Sequence, residues 1–274
     1  MIKRIFFLTL IFQSIASLSF AQVKELKTET KNNPKTETKM KVEIWSDVMC
    51  PFCYIGKRKF EAALENFPHK NKIEIVWKSF QLNPDQETNL EKDVYTYLAE
   101  VKGVSKEQSI QMHQQVAQSA KQVGLTYNFD KAVVANSYKA HQLIQLAKKY
   151  NLGDAAEENL FKAYFTDGIN IADFTELEKI GVKIGLKSEE IQETLKNDSF
   201  ANEIDADIYE SRQLGVRGVP FFVMDRKYGV SGAQATEVFA QTLEKAYAEW
   251  AKNNPAMALE TIEGAVCTPE GECK

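Results

Sequence analysis

Two cysteines separated by two residues constrain this chain more than any other feature. Cys50 and Cys53 follow an apolar run at 42–45 that is typical of a β-strand, and they precede a run with helical periodicity at 57–67. Pro51 favours a helix start directly after Cys50, because proline has no N–H to leave unpaired and its φ suits the first helical position. The sequence therefore predicts a strand, a turn and a helix, with Cys50 at the helix cap.

This placement suits thiol–disulfide chemistry. Unpaired backbone N–H groups and the dipole at a helix start favour the thiolate of Cys50, which would make it an accessible nucleophile. Cys53 lies one turn further on and can attack a mixed disulfide on Cys50, which releases the substrate. A structural disulfide explains the pair poorly, because so short a loop restricts the unfolded chain very little.

Composition and the first residues indicate an exported globular protein. The 274 residues are 44% hydrophobic and 11% aromatic, which is enough for a sizeable core. With a net charge of −4 and no long basic run, neither nucleic acid nor an anionic membrane surface is an expected partner. Residues 1–21 combine Lys3 and Arg4, a short apolar body and a small-x-small cleavage site, as in a secretory signal peptide. We expect periplasmic localisation or secretion, with no stable membrane insertion after cleavage.

The rest of the chain falls into four parts. Residues 22–39 are polar and repetitive, which predicts a flexible linker. One domain is expected from 40–86 and 198–252, with an inserted all-helical subdomain of four or five helices at 87–197 and a tail at 253–274. The fold class is therefore α/β. Outside the insertion, the predicted elements are strands at 41–46, 72–80, within 215–224 and at 228–232, and helices at 57–67, 199–214 and 236–250.

Three motifs resemble those of a known family. They are SDVMCPFCYIGKR at 46–58, SFQLNP at 79–84 and GVRGVPFFV at 215–223, with the helical insertion between the second and the third. Together they resemble the DsbA family of thioredoxin-like oxidoreductases, and within it the FrnE-like subgroup. The resemblance implies a thioredoxin-like fold and a disulfide oxidase or isomerase of protein substrates, and we expect it to need no cofactor.

The resemblance also implies roles for single residues. Cys50 would be the nucleophile and Cys53 the resolving thiol. Pro220 would be cis and face the disulfide, while the backbone of Val219 pairs with an extended substrate chain and Phe52 contacts the substrate beside the sulfur. Strongly oxidising members carry a histidine at the position of Phe52, so this pair should be a weaker oxidant. Expected partners are proteins with thiols or disulfides, and also a redox partner or glutathione.

Two other functions compete with this interpretation. Kappa-class glutathione transferases and hydroxychromene carboxylate isomerases share the inserted helices but commonly use a single serine or cysteine to activate glutathione. The intact pair of Cys50 and Cys53 argues against them, because a resolving thiol would release bound glutathione. A zinc site made of all four cysteines is disfavoured, because Cys267 and Cys273 lie far along the chain on the tail, and we expect no metal. The tail cysteines can meet across a proline- and glycine-containing turn, so we expect a second disulfide, either structural or a relay.

Polar residues near the motif are expected to be ordinary surface or core residues. Tyr54 is expected to be exposed because it flanks the reactive sulfur. Glu43, Asp47 and Lys78 are expected on the solvent side of their strands, with a proton relay to the second cysteine as the alternative. His141 is expected to be a surface residue or a hydrogen-bonded core residue.

Overall fold

The computed structural model describes residues 38–255, and its main sheet is built around the strand that leads to the cysteines. β1 (Met40–Ser46) pairs in parallel with β2 (Ile73–Ser79). On its other side β1 pairs antiparallel with β5 (Phe221–Met224), which pairs antiparallel with β6 (Tyr228–Ser231), so the strand order is β2-β1-β5-β6. The predicted α/β, thioredoxin-like arrangement is confirmed.

Two helices cover the sheet beside the cysteines. α1 (Pro51–Glu65) has the first cysteine of the motif as its N-cap, so the helix begins at the proline, as predicted. α9 (Thr236–Asn253) packs next to it. Phe60 of α1 contacts Phe222 of β5 and Phe239 of α9, with ring centroids 5.4 and 5.9 Å apart. These aromatic contacts hold α1 against the sheet.

The chain between β2 and α8 (Ala201–Gln213) forms the insertion. It contains six helices, where the sequence predicts four or five. They are α2 (Val94–Lys102), α3 (Lys106–Gln122), α4 (Tyr138–Lys149), α5 (Gly153–Phe161), α6 (Phe174–Lys183) and α7 (Ser188–Asn197). A 3₁₀ turn (Lys70–Lys72) precedes β2, and a π-helical turn (Lys162–Asp167) extends α5. The predicted capping box is confirmed: the side chain of Ser105 accepts a hydrogen bond from the Gln108 N–H.

The insertion also contains a short sheet. β3 (Asn89–Asp93) pairs antiparallel with β4 (Val133–Val134). A strand of two residues is too short to show an alternating pattern, so the sequence does not reveal it. The insertion differs from the all-helical prediction in this detail.

The sheet and the insertion share one hydrophobic core. The ring of Tyr54 on α1 stacks on Phe161 of α5, with centroids 4.9 Å apart. On the other side of the sheet, the Trp45 indole N–H donates to the Asp207 carbonyl of α8 at 2.8 Å. The contact between Tyr54 and Phe161 places the N-terminal turn of α1 directly against the insertion.

Candidate active site

The two cysteines are free thiols at the N-terminal end of α1. Cys50 is the N-cap residue, with φ −88° and ψ 110°, and its N–H donates to the Asp47 carbonyl at 2.9 Å. No acidic side chain lies in the first turn of α1, so none opposes the positive end of the helix dipole. Only 4% of Cys50 and 1% of Cys53 is exposed. Cys50 is therefore less accessible than the sequence predicts.

A loop from the other end of the chain lies over Cys50. The Cys50 thiol donates to the Val219 carbonyl at 3.4 Å, and the peptide bond between Val219 and Pro220 is cis. The cis geometry implied by the family resemblance is thus present. Phe52 lies between the two cysteines, and 45% of it is exposed. The structure therefore places the two cysteines, Phe52 and the Val219–Pro220 bond in one region. The roles of these five residues toward a substrate stay predictions.

Gly56 explains how this loop comes so close to α1. A Cβ atom at this position would lie 2.9 Å from Cγ of Pro220 and 3.5 Å from the Phe222 ring. A separation below 3 Å leaves no room for a methyl group. The glycine two turns into the helix is therefore what allows the cis-proline loop to sit beside the cysteines.

Cys53 is held as a thiol by its surroundings. Burial raises its pKa well above the ordinary range, and the neighbouring sulfur of Cys50 raises it further through a hydrogen bond and through charge. The Asp47 N–H lowers it by a smaller amount. The buried Cys53 is therefore poorly suited to make the first attack, and Cys50 at the helix cap is the sulfur placed to make it.

Asp47 connects the motif to the loop after β2, and it is not on the solvent side as predicted. Only 1% of it is exposed. Its Oδ1 accepts from the Met49 N–H at 3.2 Å, and its Oδ2 accepts from the Leu82 N–H at 2.8 Å. Burial and two backbone donors replace the water that the prediction assumed. Asp47 thereby holds the exposed Leu82 next to the turn that leads to Cys50.

No pattern in the sequence indicates that His141 lies beneath the motif. Its ring is fully buried, and its Nε2 lies 3.6 Å from Oδ1 of Asp47, too far for a hydrogen bond. Within the described part of the chain, neither ring nitrogen has a hydrogen-bond partner. The prediction that His141 is a surface residue or a hydrogen-bonded core residue is therefore wrong. The position on a buried helix face was visible in the apolar periodicity, but the neighbour from the motif was not.

Tyr54 is buried, contrary to the prediction that it is exposed beside the sulfur. It is 3% exposed because its ring is covered by Phe161. Its hydroxyl donates to Oε1 of Glu158 at 2.7 Å, and Arg58 also binds Glu158, with Nη1 2.9 Å from Oε2. The Lys57 amino group lies 3.1 Å from Oε2 of Glu158. This network ties the first two turns of α1 to α5.

Glu43 and Lys78 belong to a different buried network. Glu43 is 4% exposed and pairs with Arg226, while Lys78 donates to Asp207 at 2.8 Å and lies 3.0 Å from Glu210. The prediction that these two residues face solvent is wrong, because α8 and the β5–β6 turn cover them. Their partners lie on α8 and in the β5–β6 turn, so they are no part of the cysteine site.

Several expectations fall on residues that the structure does not describe. The signal peptide at 1–21, most of the linker at 22–39 and both Cys267 and Cys273 lie outside residues 38–255. Between residues 38 and 255, no three side chains of His, Cys, Asp or Glu are grouped so that they could hold a metal ion. In the same range, no helix has the length and apolar character needed to cross a membrane.

Comparisons with known proteins agree with this geometry. The family model of the DSBA-like thioredoxin domain matches residues 41–244. The crystal structure of a probable DsbA oxidoreductase from Streptomyces coelicolor is 37% identical and has a TM-score of 0.72, covering 86% of this chain and 98% of that chain. The uncharacterized protein YwbO of Bacillus subtilis (strain 168) is 25% identical over 205 residues, which are 74% of this chain and 94% of YwbO.

A more distant structure shares the fold alone. A 2-hydroxychromene-2-carboxylate isomerase is 14% identical with a TM-score of 0.55, and the match covers 78% of this chain and 98% of that chain. The Streptomyces structure, by contrast, is 37% identical over 86% of the chain, and the family model matches residues 41–244. The chain therefore belongs to the DSBA-like thioredoxin domain family of thiol–disulfide oxidoreductases.

Proposed function

We propose that this chain is an exported enzyme that forms or rearranges disulfides in protein substrates through Cys50 and Cys53. The observation that carries the proposal is the arrangement at the start of α1. Cys50 caps the helix and contacts the Val219 carbonyl at 3.4 Å, while Cys53 lies buried behind it with a raised pKa. This arrangement gives one sulfur that attacks and a second that resolves.

The exchange balances as two successive displacements. In the oxidising direction, a substrate thiolate attacks Sγ of Cys50 in the Cys50–Cys53 disulfide, and Cys53 leaves as a thiolate that takes up a proton. A second substrate thiolate then attacks the substrate sulfur bound to Cys50, and Cys50 leaves as a thiolate. The substrate loses two electrons and the enzyme gains them. Isomerisation begins instead with attack of the Cys50 thiolate on a substrate disulfide.

The surroundings of Cys50 suit an extended polypeptide. The Val219 carbonyl lies beside the sulfur, and the adjacent backbone offers main-chain groups of the kind that pair with an added strand. Phe52, at 45% exposure, and Leu82, at 52%, provide apolar surface on the motif and on the loop tied to it by Asp47. These features support a protein substrate more than a small polar one.

Phe52 bears on the direction of exchange. A neutral aromatic side chain adds no charge that would stabilise the Cys50 thiolate, so the reduced enzyme gains less than it would from a histidine. We expect a reduction potential below that of the strongest oxidants in the family. Equilibration with glutathione buffers measures it: a value above about −200 mV supports an oxidase or isomerase, and a value near about −270 mV supports a reductase.

Trapping of the mixed disulfide tests the proposed function. The full chain with Cys53→Ser should form a stable mixed disulfide between Cys50 and a peptide whose two cysteines are oxidised to a disulfide. The mixed disulfide persists because the resolving sulfur is gone. Cys50→Ser should form none and should lose at least a hundredfold in peptide oxidation. The double variant Cys267→Ser/Cys273→Ser is the matched control, and it should retain the Cys50 reaction. Oxidation that survives Cys50→Ser would overturn the proposal.

The same variants separate the glutathione-dependent alternative. A transferase or isomerase of that kind needs one activated group and no resolving thiol, so its activity would survive Cys53→Ser. We propose thiol exchange because both cysteines are present and adjacent in space. Retained glutathione-conjugating or isomerase activity in Cys53→Ser would favour the alternative instead.

Export to the periplasm or secretion is part of the proposal, and so is membership of the FrnE-like subgroup. Export rests on the signal-like pattern of residues 1–21 and suits an enzyme that forms disulfides, because these persist in oxidising compartments. Cell fractionation tests it, with the N-terminus of the mature chain expected at Gln22. A redox partner, or glutathione, would restore the Cys50–Cys53 pair after each turnover.

A further inference from the structure

A side chain of the insertion reaches the tetrapeptide that holds both cysteines. Tyr127, in the loop between α3 and β4, donates its hydroxyl proton to the Pro51 carbonyl at 2.7 Å. In an α-helix a carbonyl accepts from the N–H four residues further on, and its oxygen has a second lone pair. The Pro51 carbonyl can therefore be paired within α1, and the Tyr127 hydroxyl is an additional donor that the helix itself does not require.

The carbonyl of Pro51 and the N–H of Phe52 are the two ends of one peptide group. A hydrogen bond that the carbonyl accepts polarises the whole group and makes its N–H a stronger donor. Because Pro51 has no N–H, that of Phe52 is the first backbone donor of α1. The Tyr127 hydroxyl therefore acts on the donor at the very start of the helix.

The Phe52 N–H is in the position from which an N-cap side chain accepts. Such a side chain takes a hydrogen bond from the second or third helical N–H, which here belong to Phe52 and Cys53. The Cys53 N–H already donates to the Cys50 carbonyl at 3.0 Å, which leaves that of Phe52. As a thiol, Cys50 donates to the Val219 carbonyl and makes no cap hydrogen bond. As a thiolate it can only accept, so we expect it to turn to the Phe52 N–H.

The π-helical turn that extends α5 holds the chain on both sides of Tyr127. The Asn128 N–H donates to the Phe165 carbonyl at 2.7 Å, and the Asn128 side-chain amide donates to the Thr166 carbonyl at 2.6 Å. The Thr166 hydroxyl in turn donates to the Thr126 carbonyl at 2.8 Å. π-helical turns are frequent at functional sites. Here the turn fixes the residues before and after the tyrosine.

Packing fixes the ring of Tyr127 as well. Only 8% of the residue is exposed, and its ring stacks on Phe165 with centroids 4.6 Å apart and meets the Phe129 ring edge-on at 5.5 Å. Burial, and next the charge of the Cys50 sulfur, raise the pKa of Tyr127 well above its ordinary value. The phenol therefore keeps its proton at any working pH and remains a donor to the Pro51 carbonyl.

We propose that Tyr127 is a positioning residue that favours the thiolate of Cys50 through the peptide group between Pro51 and Phe52. The inference rests on the proposed function and identifies what supports the reactive sulfur at a site where Phe52 supplies no charge. The polarised N–H gains most when the Cys50 sulfur is negative, and that charge is absent in the Cys50–Cys53 disulfide. Tyr127 therefore stabilises the reduced enzyme more than the oxidised enzyme. The pair is a stronger oxidant than it would be without the hydroxyl, and the step in which Cys50 leaves as a thiolate is faster.

Removal of the hydroxyl alone tests this role. All measurements use the full chain carrying Cys267→Ser/Cys273→Ser, so that only the reactive pair responds. Tyr127→Phe should lower the equilibrium constant for oxidation of glutathione by the reactive disulfide about threefold, because one polarising hydrogen bond is lost. That change corresponds to a reduction potential about 14 mV lower. The midpoint of the pH dependence of Cys50 alkylation by iodoacetamide should shift upward by about 0.5 pH unit.

Tyr95→Phe is the matched control. The Tyr95 hydroxyl also belongs to the insertion and donates at 2.8 Å, but its acceptor is Oδ1 of Asp130. The same chemical change at this position should leave the equilibrium constant and the pH midpoint unchanged. Equal shifts in both variants would show that loss of any such hydroxyl has this effect, and would contradict a specific role of Tyr127.

The outcomes separate this inference from a structural role and from the proposed function. If Tyr127→Phe lowers the free energy of unfolding but leaves the equilibrium constant and the midpoint unchanged, Tyr127 supports only the fold and the inference fails. If Tyr127→Phe does not fold, Asn128→Ala takes its place, because it keeps the phenol but removes the amide that binds Thr166. Unchanged values in Asn128→Ala would then argue against the inference. A reactive pair that exchanges with glutathione at no ratio of thiol to disulfide, in the chain with Tyr127 intact, would overturn the proposed function itself.

Discussion

Gly56 is the residue at which α1 and the cis-proline loop leave no spare room. Alanine at this position would gain about 1 kcal/mol from helix propensity. Its methyl group, however, would lie 2.9 Å from the stiff ring of Pro220, and overpacking of this kind costs about 1–3 kcal/mol. We expect Gly56→Ala to lower the free energy of unfolding by about 1 kcal/mol and to slow the reaction of Cys50, because the Val219 carbonyl moves with the loop.

Urea unfolding measures the change in the free energy of unfolding, and the rate at which Cys50 reacts with 5,5′-dithiobis(2-nitrobenzoate) measures the change in its reactivity. Gly218→Ala is the matched control, because a Cβ there meets nothing within 4 Å although the residue lies in the same loop. A stabilised Gly56→Ala with unchanged Cys50 reactivity would show that the loop yields easily and that the close approach is not required.

At the same scale, the reactive residues could be predicted and their surroundings could not. The spacing of Cys50 and Cys53 indicates thiol exchange by itself, whereas the cis bond before Pro220 was implied only by the family resemblance. Tyr54 was predicted to be exposed because its neighbour is the reactive sulfur, whereas its ring packs on Phe161 from the insertion. His141 came to the motif in the same way, through tertiary packing that no local spacing encodes.

The contact between α1 and α5 includes a half-buried ion pair, Arg58 with Glu158. The side chains of Arg58 and Glu158 are 28% and 30% exposed, and their two-pronged contact is joined by the Tyr54 hydroxyl. Although burial raises the pKa of Glu158, hydrogen bonds from Arg58 and Tyr54 lower it to about 2. Because this folded-state pKa lies below the unfolded value, the stabilisation is complete above about pH 4.5 and is lost as the pH falls toward 2.

A double-mutant cycle with Arg58→Met and Glu158→Gln should therefore give a coupling energy of about 1–2 kcal/mol at pH 7. At pH 2 most of it should be gone. Lys162 and Asp167 form an exposed pair in the same insertion and serve as the control, for which we expect less than about 0.5 kcal/mol. Equal coupling for both pairs would mean that the α1–α5 contact does not depend on this network.

Elements were predictable where periodicity extends over several residues. The strand predicted at 72–80 is Ile73–Ser79, and the helix predicted at 199–214 is Ala201–Gln213. β4 has two residues and forms only because β3 lies beside it, so it has no pattern of its own. The count of helices was low because turns as short as residues 184–187 separate neighbours such as α6 and α7.

The whole molecule should unfold in one step. The three tryptophans, Trp45, Trp77 and Trp250, all lie on the sheet or on α9, whereas most of the helix lies in the insertion. Tryptophan fluorescence thus reports on one part and far-UV circular dichroism mainly on the other. Because both parts share one core, we expect coincident urea transitions. Two separate midpoints would instead show that the insertion is an independent folding unit.

The order of strands and helices along the chain was sufficient to predict the layers of the molecule. It was not sufficient to predict that 40–86 and 87–197 pack into a common interior. From the sequence alone, aromatic residues such as Phe161 and Phe165 are equally compatible with a separate hydrophobic core inside the insertion. Only the structure shows that they continue the core beneath Tyr54.

The hydroxyl of Tyr127 donates to the carbonyl of Pro51 at 2.7 Å, across 76 positions of sequence. The backbone inside the reactive tetrapeptide is thereby anchored by a side chain from the insertion. Grafting CPFC onto a scaffold without the insertion would transfer the four residues but not the hydrogen bond from Tyr127. The tetrapeptide alone therefore does not reproduce this site. Engineering or evolution that exchanges the insertion would retune the sulfurs without touching either cysteine.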